Sequence, residues 1–178
     1  MTSGRAAGAA LASRAASDPG TGFRSLFAVP AGAFAVAAVA AALARSQQPF
    51  DHGWWLVAYL ALVGGLSQLI LGVGQLTLGA GLDLASRGRR VLAAGLVLWN
   101  LGTVLVPVGV FAGAQRVVAL GSVALLAALA LFAAATVEPR RGHTRDYRFW
   151  LYGYRAVLIA LVGSVIVGTG LAEALPWQ

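Results

Sequence analysis

An all-α, polytopic membrane protein with five transmembrane helices is the fold this sequence predicts, and three observations predict it. Five long apolar runs have uncharged interiors, each near or beyond the ~20 residues a helix needs to cross ~30 Å of hydrocarbon. The joints between the runs alternate between arginine-rich and arginine-poor. Of the 178 residues, 59% are hydrophobic and only 11% charged, against about 25% charged in an ordinary soluble domain. A water-soluble fold of this length has no interior large enough to hide so much apolar surface, so lipid must be its solvent. The runs are continuous and do not alternate, which indicates helices and excludes the strands of a membrane barrel.

Residues 1–24 are rich in Ala, Gly, Ser and Thr and lack periodicity. Such a segment buries too little to order itself, so a disordered cytoplasmic tail is expected. The remainder, 25–178, reads as one membrane domain, with short joints that force successive helices to lie antiparallel. The first run, Leu26–Ala44, ends in Ala42-Leu43-Ala44 before Arg45, which also fits the small-residue cleavage site of a secretory signal. The run exceeds the usual signal core of about 7–15 residues, so it is read as a span.

The second run, Trp54–Leu78, carries Gly65, Gln68, Gly72, Gln75 and Gly79 at spacings of three and four. On a helix these share one face. Glycine lets another backbone approach closely, and a glutamine turned to lipid leaves its donors and acceptors unpaired. The face therefore looks into protein or water. Hydrogen-bonded helix packing is the simpler reading, and a lining for a polar solute path is the alternative.

The third run, Val91–Gly113, repeats glycine every seven residues at Gly95, Gly102 and Gly109. Asn100, Thr103 and Pro107 follow on a neighbouring face. Proline has no N–H, so the Thr103 carbonyl loses its usual helical partner and a kink is expected there. The fourth run, Val117–Val137, and the first are alanine- and leucine-rich with few polar atoms and are expected to face lipid. The fifth, about Ala156–Ala172, places Ala160, Ser164 and Gly168 four apart, a small-residue contact surface. The expected core is spans two, three and five.

All thirteen basic residues are arginine. With the abundant alanine and glycine, this composition points to a high-GC bacterial genome. Eleven arginines fall on one side of the five-span arrangement: Arg5, Arg14, Arg24, Arg87, Arg89, Arg90, Arg140, Arg141, Arg145, Arg148 and Arg155. Only Arg45 and Arg116 fall on the other. Basic residues stay cytoplasmic, so the N-terminus is expected inside and the C-terminus outside a bacterial inner membrane. Aromatics mark the same boundaries: Phe50, Trp54, Trp55 and Trp177 outside, and Tyr147, Phe149, Trp150, Tyr152 and Tyr154 inside. The formal charge of +7 then reflects binding to anionic lipid headgroups, and nucleic acid is not expected as a partner.

Missing chemistry narrows the function further. No Asp, Glu, His, Arg or Lys lies in the middle of a run, which disfavours proton relays, voltage sensors and buried charged-substrate sites. There is no cysteine, and the two histidines, His52 and His143, sit in joints on opposite sides. Neither a thiolate metal centre nor a haem held at membrane depth fits, and no cofactor or metal is expected. Asp51, His52 and Glu173 lack any ligand spacing and read as solvated joint residues. Gly64-Gly65-Leu66-Ser67-Gln68 resembles the second-helix Gly-Gly-Leu-x-Gln pattern of small six-span acetate-uptake transporters. That family's Asn-Pro-Ala-Pro opening is absent and the span count differs by one, so no substrate residue is carried across.

The function expected from these features is a non-enzymatic accessory or interaction subunit, forming a homo-oligomer or joining a larger membrane complex. The alternative is a small-solute permease or channel lined by Gln68, Gln75, Asn100 and Thr103 and opened by Pro107. An enzyme working at the outer boundary through Asp51, His52 and Glu173 has the least support.

Overall fold

The computed structural model describes residues 19–47, 52–79, 86–135 and 145–174. Among them are five helices long and apolar enough to cross a membrane, Leu26–Gln47, Gly53–Leu78, Arg90–Phe111, Gln115–Ala134 and Arg148–Ile166. Their mean hydropathies run from 1.7 to 2.5. No strand occurs among the described residues. The fold is an all-α bundle of a multi-pass membrane protein.

The first helix, Pro19–Gln47, starts inside the segment expected to be tail. A proline at the first helical position lacks only an N–H that has no intrahelical partner there, so it opens a helix readily. Residues 1–18 lie outside the described residues, as do Phe50, Asp51, Arg140, Arg141, His143 and Trp177. The last helix, Arg145–Ala174, begins well before Ala156, so the aromatic segment expected as a boundary joint is itself helical.

Spans three and four form a tight antiparallel hairpin. The third helix ends at Phe111, and Gly113 takes φ 61°, a left-handed conformation that glycine adopts without steric cost. The Ala114 N–H then reaches the Gly109 carbonyl at 2.8 Å and the Gly113 N–H the Val110 carbonyl at 3.2 Å. Two carbonyls of the helix end are satisfied in this way. The fourth helix starts at once, at Gln115.

The sides of this hairpin meet in matched register. A side chain added at Gly95, Gly102 or Gly109 would meet Phe132, Leu125 or Val118 respectively, both series advancing by seven residues. Gly102 and Gly109 are equally close, with the Gly121 carbonyl oxygen and the Val118 backbone nitrogen each 2.7 Å from where the added Cβ would stand. The expected core of spans two, three and five is thus corrected. Span four is 39% buried over its most apolar window and span five only 11%. Alanine suits a lipid-facing surface, yet its small side chain suits close packing as well: Ala124 and Ala128 are buried, and Gly121 lies against Leu105 and Val106 of the third helix.

Span one packs along span two. Phe34 covers Gly64 and Phe27 covers Gly72, an antiparallel register that places Phe27 where it also meets Phe132 of span four, ring centroids 6.1 Å apart. Arg45 at the other end of span one stands 5.3 Å over the Trp54 ring, which ties the two helices through a cation–π contact.

Candidate functional site: polar contacts between the spans

The second span is not a uniform α-helix. Leu60–Leu66 is π-helical, flanked by α-helix at Gly53–Tyr59 and Ser67–Gly79. A π turn closes its hydrogen bonds one residue later than an α turn, and such turns recur at functional positions. The offset is visible at Ser67, whose backbone N–H donates to the Leu62 carbonyl five residues back, where its hydroxyl also donates at 2.8 Å. Gly64 and Gly65 both lie inside this segment and are buried.

The single face expected from the glycine and glutamine spacing is divided between two sets of neighbours. Gly65 approaches the Ala31 carbonyl and Gly72 the Phe27 side chain, both on span one. Gln68 and Gln75 point the other way, into the bundle, with 0% and 4% of their surface exposed. For Gly79 and Gly168 the description stops at the helical backbone. Ala160 and Ser164 lie on the exposed side of span five.

Gln75 bonds to two other spans. Its amide nitrogen donates to the Phe132 carbonyl of span four at 3.0 Å and to the Tyr154 hydroxyl of span five at 2.8 Å. Phe132 lies in the last turn of its helix, where carbonyls lack intrahelical donors. One glutamine therefore closes a helix end and joins three spans. Tyr154, expected as a boundary anchor, instead turns inward and is 5% exposed. Gly74 makes this possible: a side chain there would overlap the tyrosine ring. The signal for Tyr154 was its register with Leu158, Leu161 and Val165, the packed side of the last helix.

Gln68 makes a longer contact, its amide nitrogen donating to Asn100 Oδ1 of span three at 3.4 Å. Asn100 donates in turn to the Leu96 carbonyl at 2.7 Å, and Thr103 to the Trp99 carbonyl at 2.8 Å. Both of these bonds stay within the third helix, and the second N–H of the Asn100 amide is left over. Pro107 is buried inside a helix that continues unbroken to Phe111. Among the described residues three buried polar atoms have no hydrogen-bond partner: Gln68 Oε1, Trp99 Nε1 and the Tyr59 hydroxyl.

Grooves open on the outside of the bundle, and the two lined by the described residues include none of Gln68, Gln75, Asn100 and Thr103. One, of about 600 Å³, lies between spans one and two and is lined by residues such as Ala28, Gly32, Ala35 and Leu69. The other, of about 420 Å³, lies between spans two and five. Both linings are almost wholly apolar. Among the described residues no group of three or more His, Cys, Asp or Glu side chains stands close enough to hold a metal ion.

No protein-family model, no curated protein and no solved structure matches this chain. The fold and the contacts define the class: an all-α, multi-pass membrane protein in which Gln68 and Gln75 join helix to helix.

Proposed function

We propose that the chain is a non-enzymatic accessory or interaction subunit of a bacterial inner membrane, with its N-terminus in the cytosol. The observation that carries this reading is the use made of the intramembrane polar residues. Gln75 and Gln68 bond across spans and Asn100 and Thr103 bond along their own helix, which supports polar groups used for assembly over polar groups kept for a solute. The first and last spans leave 17% and 11% of their apolar windows buried, which gives the protein broad helix faces for a partner within the bilayer. Extraction in a gentle detergent, followed by size measurement and mass spectrometry, tests it. The expected result is a particle larger than one chain, containing a second copy or another membrane protein. A strictly monomeric particle would overturn the reading.

A second reading, a small-solute permease lined by Gln68, Gln75, Asn100 and Thr103, draws on one specific observation. Gln68 Oε1 and Trp99 Nε1 are an acceptor and a donor buried without partners, and such groups are costly in lipid unless something hydrogen-bonds them. Flux of small acids, ammonia or glycerol into liposomes holding the purified chain tests this reading. Flux that survives a Gln68→Leu/Asn100→Leu double substitution removes these residues from any transport path.

A further inference from the structure

The groove between spans two and five lies where the second span ends and the fifth begins. Its walls include Ile70, Val73, Phe149 and Trp150, with Gly74 and Gly153 along it. The polar atoms near it are largely committed elsewhere. Thr77 donates its hydroxyl to the Val73 and Gly74 carbonyls of its own helix, and Tyr154 accepts from Gln75. At about 420 Å³ the groove falls within the roughly 300–1,000 Å³ typical of ligand clefts. Its surface suits a hydrocarbon chain and offers nothing to a polar solute.

Charge in the joints bordering this end is predominantly basic, with Arg87, Arg89, Arg90, Arg140, Arg141, Arg145, Arg148 and Arg155 against Asp83, Glu138 and Asp146. The charged residues whose side chains are described here, Arg90, Arg148 and Arg155, are all basic and all exposed. Arg148 and Arg155 directly adjoin the groove residues Phe149 and Tyr154 along the last helix. A guanidinium pairs with phosphate oxygens in bidentate fashion, and exposed Trp150 has the amphipathic ring that settles at headgroup level. An apolar slot flanked by cations and a boundary indole matches an amphiphile with an acidic head.

We propose that this groove is a binding site for one anionic phospholipid, an acyl chain lying along Val73 and Gly153 with the phosphate held by Arg148 and Arg155. The site selects by headgroup, because a zwitterionic lipid presents the same chains but no net charge. This inference stands apart from the accessory-subunit reading, since the lipid is measured on the purified chain whatever its oligomeric state.

Gly153 supplies the test. A side chain built there meets nothing within 4 Å, and the same is true of Gly163, which lies outside the groove on the same helix. The full chain in detergent is mixed with equal amounts of phosphatidylglycerol and phosphatidylcholine of identical chains, and retained lipid is counted by native mass spectrometry. Phosphatidylglycerol should be retained in preference. Gly153→Leu should lower its retention about threefold, the loss expected from roughly five dispersion contacts given up by the displaced chain, while Gly163→Leu leaves it unchanged. Arg148→Gln combined with Arg155→Gln should abolish the headgroup preference. Equal retention of the two lipids by the unaltered chain overturns the proposal, as does undiminished retention in Gly153→Leu. A change of oligomeric state in Gly153→Leu with lipid retention intact would overturn it in favour of a protein helix as occupant.

Discussion

Gln75 concentrates in one side chain what an aqueous protein spreads over many. In hydrocarbon a donor without a partner has no water to turn to, so each amide proton must be placed within the protein. Both protons of Gln75 are placed, one on a helix-end carbonyl and one on a phenol. Interhelical hydrogen bonds in membranes average about 0.6 kcal/mol and reach about 1.7. Gln75→Leu keeps the bulk but leaves the Phe132 carbonyl and Tyr154 hydroxyl unpaired. It should destabilise the bundle by about 1–3 kcal/mol, read from unfolding in mixed detergent and denaturing micelles. Tyr154→Phe removes only one of the two bonds and should cost less. If Gln75→Leu unfolds at the same midpoint as the unaltered chain, the glutamine does not hold the spans together. Exposed Thr77, bonded only to its own helix, is the matched control, and Thr77→Val should change little.

At the scale of elements, the hairpin of spans three and four is the most closely fitted pair. The Gly121 carbonyl would stand 2.7 Å from a Cβ at Gly102, and a backbone oxygen fixed in a helix cannot step aside. Gly102→Ala should therefore cost about 1–3 kcal/mol, as overpacking does. Gly32→Ala on span one meets nothing within 4 Å and should be neutral or gain up to about 1 kcal/mol of helix propensity. Equal midpoints for the two variants in the same unfolding assay would mean that the close approach at Gly102 is not needed. The five spans were legible because uncharged length is a direct record of bilayer thickness. The glycine recurrence at positions 95, 102 and 109 is likewise plain in the chain, but nothing in those residues names the helix lying against them. Span four was hidden because alanine serves lipid exposure and close packing equally well. The π-helical turn at Leu60–Leu66 was hidden because its hydrogen-bond offset depends on what Phe34 and Ala31 press against it, a tertiary matter. Tyr154 was misplaced for a related reason: an aromatic beside arginines fits a headgroup anchor until Gly74 opens a slot for its ring.

The whole molecule is a central group of spans two, three and four, with spans one and five laid on its outside. Burial of the apolar windows falls from 44% on span three to 17% on span one and 11% on span five. The orientation we propose rests on charge, because each guanidinium left on the far side of the membrane must be carried across hydrocarbon during insertion. Eleven arginines on one side against two on the other make the inverted arrangement far costlier to insert. The hairpin fixes the relative placement of the ends: the tight turn at Gly113 lies at one surface, and the starts of spans three and five, with exposed Arg90 and Arg148, lie at the other. Reporter fusions read this directly. A reporter active only in the cytosol, joined after Gly88 or Gly142, should be active, and joined after Gly113 it should be silent. A reporter that needs the periplasm should give the reverse pattern. If the Gly88 and Gly142 fusions report the periplasm instead, arginine count does not set the topology of this chain, and the anionic leaflet invoked for Arg148 and Arg155 becomes the outer one.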